Sequence, residues 1–344
     1  MHYKLLGKSG LRVSEICLGT MTFGPEWGYG ADKEESRRIF NTFLDAGGNF
    51  IDTANRYTEG TSETWLGEFV NESGRRDELV VATKYSLVSK FNRINDGGNH
   101  RKNLIQSVEG SLRRLDLEYI DLLWLHAWDF TTPEEEVMRA LDDLVRAGKV
   151  LYIGISDTPA WLVSRMNTIA GFRGWTPFIG LQVEYSLIQR EPERDLLPMA
   201  HHLDIGVTAW APLGGGALTG KYLGKNDSAK RLKEGSKRLN ERSMAIAQKV
   251  AEIAKAAGCT PGQVALRWVM EQHPQMFPIV GCRNAAQLTD SIGCVEAKIS
   301  AEQFQQLNEV SAIELGFPHD FLKSDSVQQV TFGGLQGKII NHRK

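Results

Sequence analysis

Along the chain, short apolar runs rich in β-branched residues recur between longer amphipathic stretches. Eight stand out: "EICLGTM", "NFIDTA", "LVVATKY", "IDLLWLH", "LYIGIS", "FIGLQVEYS", "GVTAWAPL" and "FPIVGC". The segments between them, such as "KEESRRIFNTFLDAGG" and "TPEEEVMRALDDLVRAGK", carry apolar residues at helical spacing and end at glycine, a common helix stop. Largely apolar strands alternating with helices predict a parallel sheet buried on both faces. An open doubly wound sheet more often has about six strands, so the eight units here predict a closed (β/α)8 TIM barrel. Ahead of them, "YKLLGKSGLRVS" predicts a hairpin turning at Lys8-Ser9-Gly10, a plug under the barrel.

Two segments break the rhythm. Residues 221–243 are polar and basic without apolar periodicity, and are read as a long mobile loop at the C-terminal mouth. Residues 315–344 form an extension after the last helix. No linker, repeat or low-complexity tract divides the chain, so residues 1–344 are expected to form one domain.

Composition narrows the class. Hydrophobic residues make up 42% of the 344, ample for a large core, and a formal charge of −2 offers no basic footprint for nucleic acid. There is no apolar run long enough for a membrane span and no signal-peptide centre near the N-terminus. Cys17, Cys259, Cys282 and Cys294 form no CxxC pair and are read as reduced structural thiols, with neither a zinc site nor a disulfide framework. The expectation is a cytoplasmic enzyme with a small-molecule substrate and no nucleic-acid or membrane partner. A homo-oligomer built on the barrel surface stays open.

In a (β/α)8 barrel the active site lies at the C-terminal ends of the strands. The residues closing the apolar runs are Asp52 with Tyr57 just beyond, then Lys84, His126, Ser156, and finally Gln182 with Tyr185. Each alone has a structural reading: a capping acid, a snorkelling lysine, a satisfied core histidine. Four ionisable groups at the ends of three consecutive strands fit one mechanism better. A phenol, with a reference pKa of about 10, is tuned by a neighbouring lysine cation, and a buried carboxylate holds that lysine charged. A histidine opposite orients a carbonyl oxygen. General acid catalysis of this kind is worth about 10²–10⁴ in rate, while the hydride has to come from a cofactor.

With these residues in place the chain resembles the aldo-keto reductase superfamily over nearly its whole length. The resemblance rests on "FIDTANRY", "VVATKY", "DLLWLHAWD", "LYIGISD", "LQVEYSLI", "TAWAPLGGGALTGKY" and "PIVGCRNAAQLTDSI". Within the superfamily it is nearest the branch of bacterial reductases and potassium-channel β subunits. It implies a catalytic tetrad of Asp52, Tyr57, Lys84 and His126, with Tyr57 the acid, and a nicotinamide cofactor bound without a Rossmann domain. It also implies cofactor contacts from Gly19, Thr20, Met21, Asp52, Ser156, Gln182, Trp210, Ala211, Leu213, Gly214, Gly216, Leu218, Gly220, Lys221, Gly281, Arg283, Gln287, Asp290 and Ser291.

The residues carry part of this on their own chemistry. Ser156 and Gln182 can fix a carboxamide, Trp210 offers a flat face for a ring, and Gly214, Gly215 and Gly216 allow close backbone approach to a pyrophosphate, with Lys221 adding charge. Arg283, near a predicted helix start and Gln287, suits a 2′-phosphate, which favours NADP(H) over NAD(H). The chain departs from the family pattern at Asp157 (usually asparagine), Ala211 (a common serine), Ser291 (a frequent asparagine) and Gly281 (lysine in some branches). Trp27, Tyr29, Tyr85 and Trp128 are candidates to line an apolar substrate pocket together with Tyr57 and His126. The basic residues after Lys221 are read as a clasp over the pyrophosphate. Competing functions are a cofactor-sensing subunit of the channel-β type, a Schiff-base aldolase using Lys84, and a metal-dependent barrel. The aldolase needs a lysine of lowered pKa, which a paired Asp52 opposes, and the metal barrel lacks a ligand cluster.

Overall fold

A strand that is apolar on both faces must be covered on both, and closing a sheet on itself inside a ring of helices does this without leaving an edge. The computed structural model describes residues 1–88, 90–224, 232 and 235–342. An antiparallel hairpin, β1 (Tyr3–Leu5) and β2 (Arg12–Ser14), comes first. The barrel strands come after it: β3 (Cys17–Gly19), β4 (Phe50–Asp52), β5 (Val80–Tyr85), β6 (Ile120–Leu125), β7 (Val150–Ser156), β8 (Phe178–Glu184), β9 (Gly206–Trp210) and β10 (Met276–Gly281). Neighbours pair in parallel in chain order, and β10 pairs with β3 to close the ring. The eight expected strands and the TIM barrel are therefore observed.

Helices wrap the outside: α1 (Lys33–Asp45), α2 (Thr61–Ser73), α3 (Arg101–Leu115), α4 (Glu134–Arg146), α5 (Ala160–Arg173), α6 (Leu196–His202), α7 (Glu241–Ala257), α8 (Pro261–Glu271), α9 (Ala285–Ile292) and α10 (Ala301–Val310). Their starts are set locally. Asp32, Asn240 and Asn284 each accept a main-chain N–H of the first turn, and Thr260 and Ser300 form capping boxes. Among the described residues no helix is long and apolar enough to cross a membrane.

The hairpin seals the floor. Leu6 and Val13, both fully buried, pack with Cys17, Phe50 and Phe277 inside the barrel base. One layer up, Trp124 fills the centre of the barrel and is fully buried. It fits because β7 and β8 carry glycine beside it: a Cβ on Gly154 would lie 2.3 Å from the indole, and one on Gly180 would lie 2.7 Å away. With floor and middle filled by hydrocarbon, only the top layer is left for polar side chains.

The chain also leaves the barrel at this top. Arg190, Arg194 and Arg242, on loops and helices beyond β8 and β9, donate to the main-chain oxygens of Asn308, Glu314 and Ser311. Beyond them the extension forms α11 (His319–Lys323) and α12 (Asp325–Thr331) and exposes Phe317, Val330 and Ile340 along its length. Of the expected 221–243 loop, residues 225–231 and 233–234, on which most of the clasp falls, lie outside the described residues, and residues 241–243 belong to the first turn of α7.

The Trp124 layer should be intolerant of even one methyl group. Gly154→Ala is expected to destabilise the barrel by about 1–3 kcal/mol in urea unfolding, as overpacking does. Trp124→Phe in the same background should recover part of that loss, since it frees the space the new methyl occupies.

Candidate active site

Side chains alternate along a strand, so every second residue of each barrel strand faces inward. At the top of the barrel those inward positions are Asp52 on β4, Lys84 on β5, Ser156 on β7, Gln182 on β8 and Trp210 on β9, with His126 immediately after β6. Direct bonds join three of them. The Lys84 ammonium, fully buried, donates to the Asp52 carboxylate, to the carbonyl of Thr53 at 2.8 Å and to Tyr57 Oη at 3.0 Å. That uses all three of its N–H groups. Gln182 Nε2 donates to the other Asp52 oxygen at 3.0 Å, so β4, β5 and β8 are linked through one carboxylate.

This packing sets the electrostatics. Burial opposes the Lys84 charge, but the Asp52 carboxylate and Tyr57 outweigh it and hold the lysine above its ordinary pKa. Burial also pushes the Tyr57 phenol up, and Lys84 pulls it back only in part. The expected tuning by lysine is thus present, yet the net shift is upward, because the phenol sits deep in the mouth. His126 is driven well below its ordinary value, first by burial and then by the Lys84 charge, and is neutral. Its ring stands edge-on to Tyr57 with centroids 6.0 Å apart, and its buried Nδ1 has no partner among the described residues.

The turn just beyond Tyr57 keeps the phenol in place. Thr58 and Glu59 both take left-handed φ values, 47° and 57°, which β-branched and bulky residues seldom do. Thr58 Oγ1 donates to the carbonyl of Phe23 at 2.6 Å and accepts the N–H of Ser62 at 3.1 Å, which locks this turn to the loop after β3. Thr20, on the same loop, donates its N–H to the Asp52 carbonyl at 2.9 Å. Gly19 ends β3 and Met21 lies half-buried on the turn beyond.

The residues read as a cofactor cleft run along one side of the mouth. After Trp210 the chain turns through Ala211 (φ 49°), Gly214 (59°), Gly215 (69°) and Gly216 (96°). A Cβ on Gly216 would stand 2.8 Å from Lys221 Nζ, so this glycine brings bare backbone beside a cation. Leu213 precedes the run, Leu218 is buried under it, and Gly220 closes it at φ 78°. Across the barrel seam β10 ends at Gly281, and Arg283 and Gln287 stand at the start of α9, with the Arg283 N–H donating to Gln287 Oε1 at 3.0 Å. Asp290 turns instead to α8, accepting from Thr260 at 3.2 Å and from Gln263, while Ser291 is buried. A polar inner rim, a flat indole, a strip of backbone without Cβ atoms beside a lysine, and a helix N-terminus with an arginine fit an extended nicotinamide dinucleotide.

The residues read as the substrate side fall in two groups. Trp27 meets Tyr57 edge-on at 6.3 Å, Tyr29 lies 6.3 Å from Trp27, and Trp128 is half-buried after His126. Tyr85 needs correction. It comes directly after inward-facing Lys84, so alternation turns it outward, and it is buried in the core between strands and helices with Leu104 and Val108. Tyr185 likewise points away from the mouth, stacking on Trp268 at 5.5 Å and donating to Glu193 at 2.6 Å.

Three residues at the mouth are absent from the sequence-based candidates. Asn55, buried, donates to the carbonyl of Leu87 at 3.2 Å and leaves its Oδ1 without a partner among the described residues. Glu184, two residues beyond Gln182 and therefore on the same face of β8, pairs with Arg238, whose guanidinium lies 6.0 Å from the Trp210 ring centre. The period-two alternation that turns Tyr85 and Tyr185 outward is also the signal that could have found Glu184. Among the described residues no group of three or more His, Cys, Asp or Glu gathers as a metal site would need.

Comparison with known proteins agrees with this geometry. The aldo/keto reductase family profile matches residues 15–312. Norsolorinic acid reductase of Aspergillus flavus is 39% identical over 331 residues, covering 93% of this chain and 84% of that protein. An aryl-alcohol dehydrogenase [NADP(+)] of Phanerodontia chrysosporium is 40% identical over 341 residues, covering 92% of this chain and 88% of its own length. The aldo-keto reductase ausK of Emericella nidulans is 37% identical over 345 residues, covering 94% of this chain and 85% of its own length.

The buried Lys84–Asp52 pair sets the stability of this layer. Removing one partner leaves a buried charge, so Lys84→Met should cost about 3–5 kcal/mol. The double variant Lys84→Met/Asp52→Asn should recover most of that in denaturant unfolding, and a double-mutant cycle reports the coupling.

Proposed function

On the premise that the chain belongs to the aldo/keto reductase family, and is an NAD(P)H-dependent oxidoreductase acting on carbonyl groups, we propose that it reversibly reduces an aromatic aldehyde or ketone with NADPH, using Tyr57 as the acid. The observation that carries this reading is the Lys84 ammonium donating to Tyr57 Oη at 3.0 Å while anchored on Asp52. With Lys84 supplying the bond that the phenol oxygen accepts, the phenol's own proton is free to point at a substrate oxygen in the mouth. The bound nicotinamide supplies the hydride.

His126 shares that oxygen. A buried N–H without an acceptor is rarer and more costly than a buried lone pair, so the neutral imidazole keeps its proton off the unpartnered Nδ1 and on Nε2. Nε2–H then donates to the carbonyl oxygen beside the phenol, polarising it without competing as an acid. Asp52 keeps Lys84 charged and in place, and the cation stabilises the phenolate left after proton transfer. A Schiff-base role for Lys84 is disfavoured, because its raised pKa leaves no free amine.

Ser156 and Gln182 hold the carboxamide and Trp210 stacks on the ring. Gly214 and Gly216 admit the pyrophosphate beside Lys221. Arg283, at the start of α9, takes the 2′-phosphate, which supports NADPH; the name of one relative carries NADP(+) as well. Trp27 and Trp128 flank the tetrad and favour an aromatic substrate, in keeping with the aryl-alcohol name of that relative.

Tyr57→Phe should lower kcat for NADPH-dependent reduction of a benzaldehyde panel by at least about 100-fold while leaving NADPH binding within about twofold. Retained turnover would sink the assignment of the acid. Tight NADPH binding without turnover of any carbonyl by the wild type would instead favour a cofactor-sensing subunit.

The raised phenol fixes a pH dependence. Reduction needs the phenol protonated, so kcat/KM for reduction should stay level from about pH 6 to 9 and fall only above the reference value of about 10. Alcohol oxidation needs the phenolate and should rise over the same range. A break near pH 6.5 in both directions would point to a titrating His126 and contradict its neutral assignment.

A further inference from the structure

Asp157 ties together residues at the ends of three different barrel strands. It comes directly after Ser156 at the end of β7 and takes a left-handed φ of 39°, which turns its side chain back over the mouth. Oδ1 accepts the indole N–H of Trp210 at 3.2 Å. Its main-chain N–H reaches the carbonyl of Gln182 at 3.4 Å, and its carbonyl receives the N–H of Trp128 at 3.5 Å. The carboxylate is therefore fixed against the aromatic platform, beside the two residues read as carboxamide contacts.

Its charge is also answered differently from that of its neighbours. Asp52 is matched by Lys84, and Glu184 by Arg238. The side-chain donors on Asp157, the Trp210 indole N–H and the Ser156 hydroxyl, are neutral, so they fix the carboxylate without cancelling its charge. Desolvation of the carboxyl pushes Asp157 above its ordinary value although the residue stands exposed at the open mouth, while the bond from Trp210 and the more distant Lys84 charge pull it back.

We propose that Asp157 weights this site toward the oxidised cofactor. Its carboxylate, held beside the Trp210 platform, stabilises the positive charge that the nicotinamide ring carries in NADP+ and lacks in NADPH. The inference rests on the proposed function, in which the ring lies on Trp210. A charge that interacts with one redox form and not the other shifts the balance between them by that difference. An asparagine at this position would supply the same bond to Trp210 with no such bias.

Asp157→Asn is the test, because it preserves shape, a left-handed backbone and an acceptor for Trp210 while removing only the charge. Dissociation constants of NADP+ and NADPH are measured side by side by protein fluorescence titration, for wild type and variant. The expected result is NADP+ weakened by about tenfold, equivalent to about 1.4 kcal/mol, with NADPH changed by less than about twofold. A residue that merely scaffolds Trp210 would weaken both forms in parallel, and parallel weakening, or an unchanged ratio, overturns the proposal. If the wild type binds neither nucleotide, the reductase reading fails first and takes this inference with it. Binding of both forms with an unmoved ratio removes the inference alone.

Discussion

The buried ammonium of Lys84 is the point from which the rest of the site is determined. A lysine with no exposure has to place all three of its protons on acceptors, and each acceptor here comes from the segment that ends β4: the Asp52 carboxylate, the Thr53 carbonyl and the Tyr57 phenol. Three contacts from one strand end mean that Lys84 fixes the exit path of that strand as well as its own charge. The chain brings a phenol back over the lysine within five residues of Asp52, and the left-handed turn at Thr58 and Glu59 directly beyond it is locked by Thr58 to the loop after β3, which holds the phenol there.

Such a charge is tolerable only if the layers below it are dry and closed. The floor of Leu6, Val13, Phe50 and Phe277, with Trp124 above it, excludes water from beneath the pair and keeps the local dielectric low. The same dryness drives the tyrosine up in pKa and the histidine down. One packing feature, a filled barrel base, thus leaves both a protonated phenol and a neutral imidazole at neutral pH, the pair of states that can donate two hydrogen bonds to one oxygen.

Much of this is legible in the residues. Eight apolar runs predict eight strands because a parallel barrel strand is buried on both faces, and Asp52, Tyr57, Lys84 and His126 group together because they close consecutive runs. Side-chain parity at the strand ends is harder to read. Tyr85 and Tyr185 come after residues that face inward, so they turn to the helices, whereas a list of strand-end residues treats both sides alike. Glu184 escapes for the same reason, having the right parity inside a run read only for its apolar character. The net direction of the Tyr57 shift is not legible either, because it depends on depth in the barrel, which no local pattern records. Arg238 reaches Glu184 from a loop far along the chain, and no periodicity announces such a contact.

The charges around the mouth also explain why a neutral histidine and a departure at Asp157 belong together. Burial first and the Lys84 charge second keep His126 neutral, and the same positive field disfavours a positively charged ring there. In the proposed reaction both redox forms of the cofactor have to be held, and the oxidised form brings a positive charge into the field of Lys84. Asp52 answers most of the lysine field from below, but it lies on the tetrad side of the barrel. A carboxylate attached to the platform itself, on β7 and bonded to the β9 indole, acts where the ring charge would develop. On this reading the departure from asparagine is an electrostatic adjustment of the site. In the proposed function the tetrad handles the proton, and the proposal for Asp157 adds a separate control on the charge of the cofactor ring.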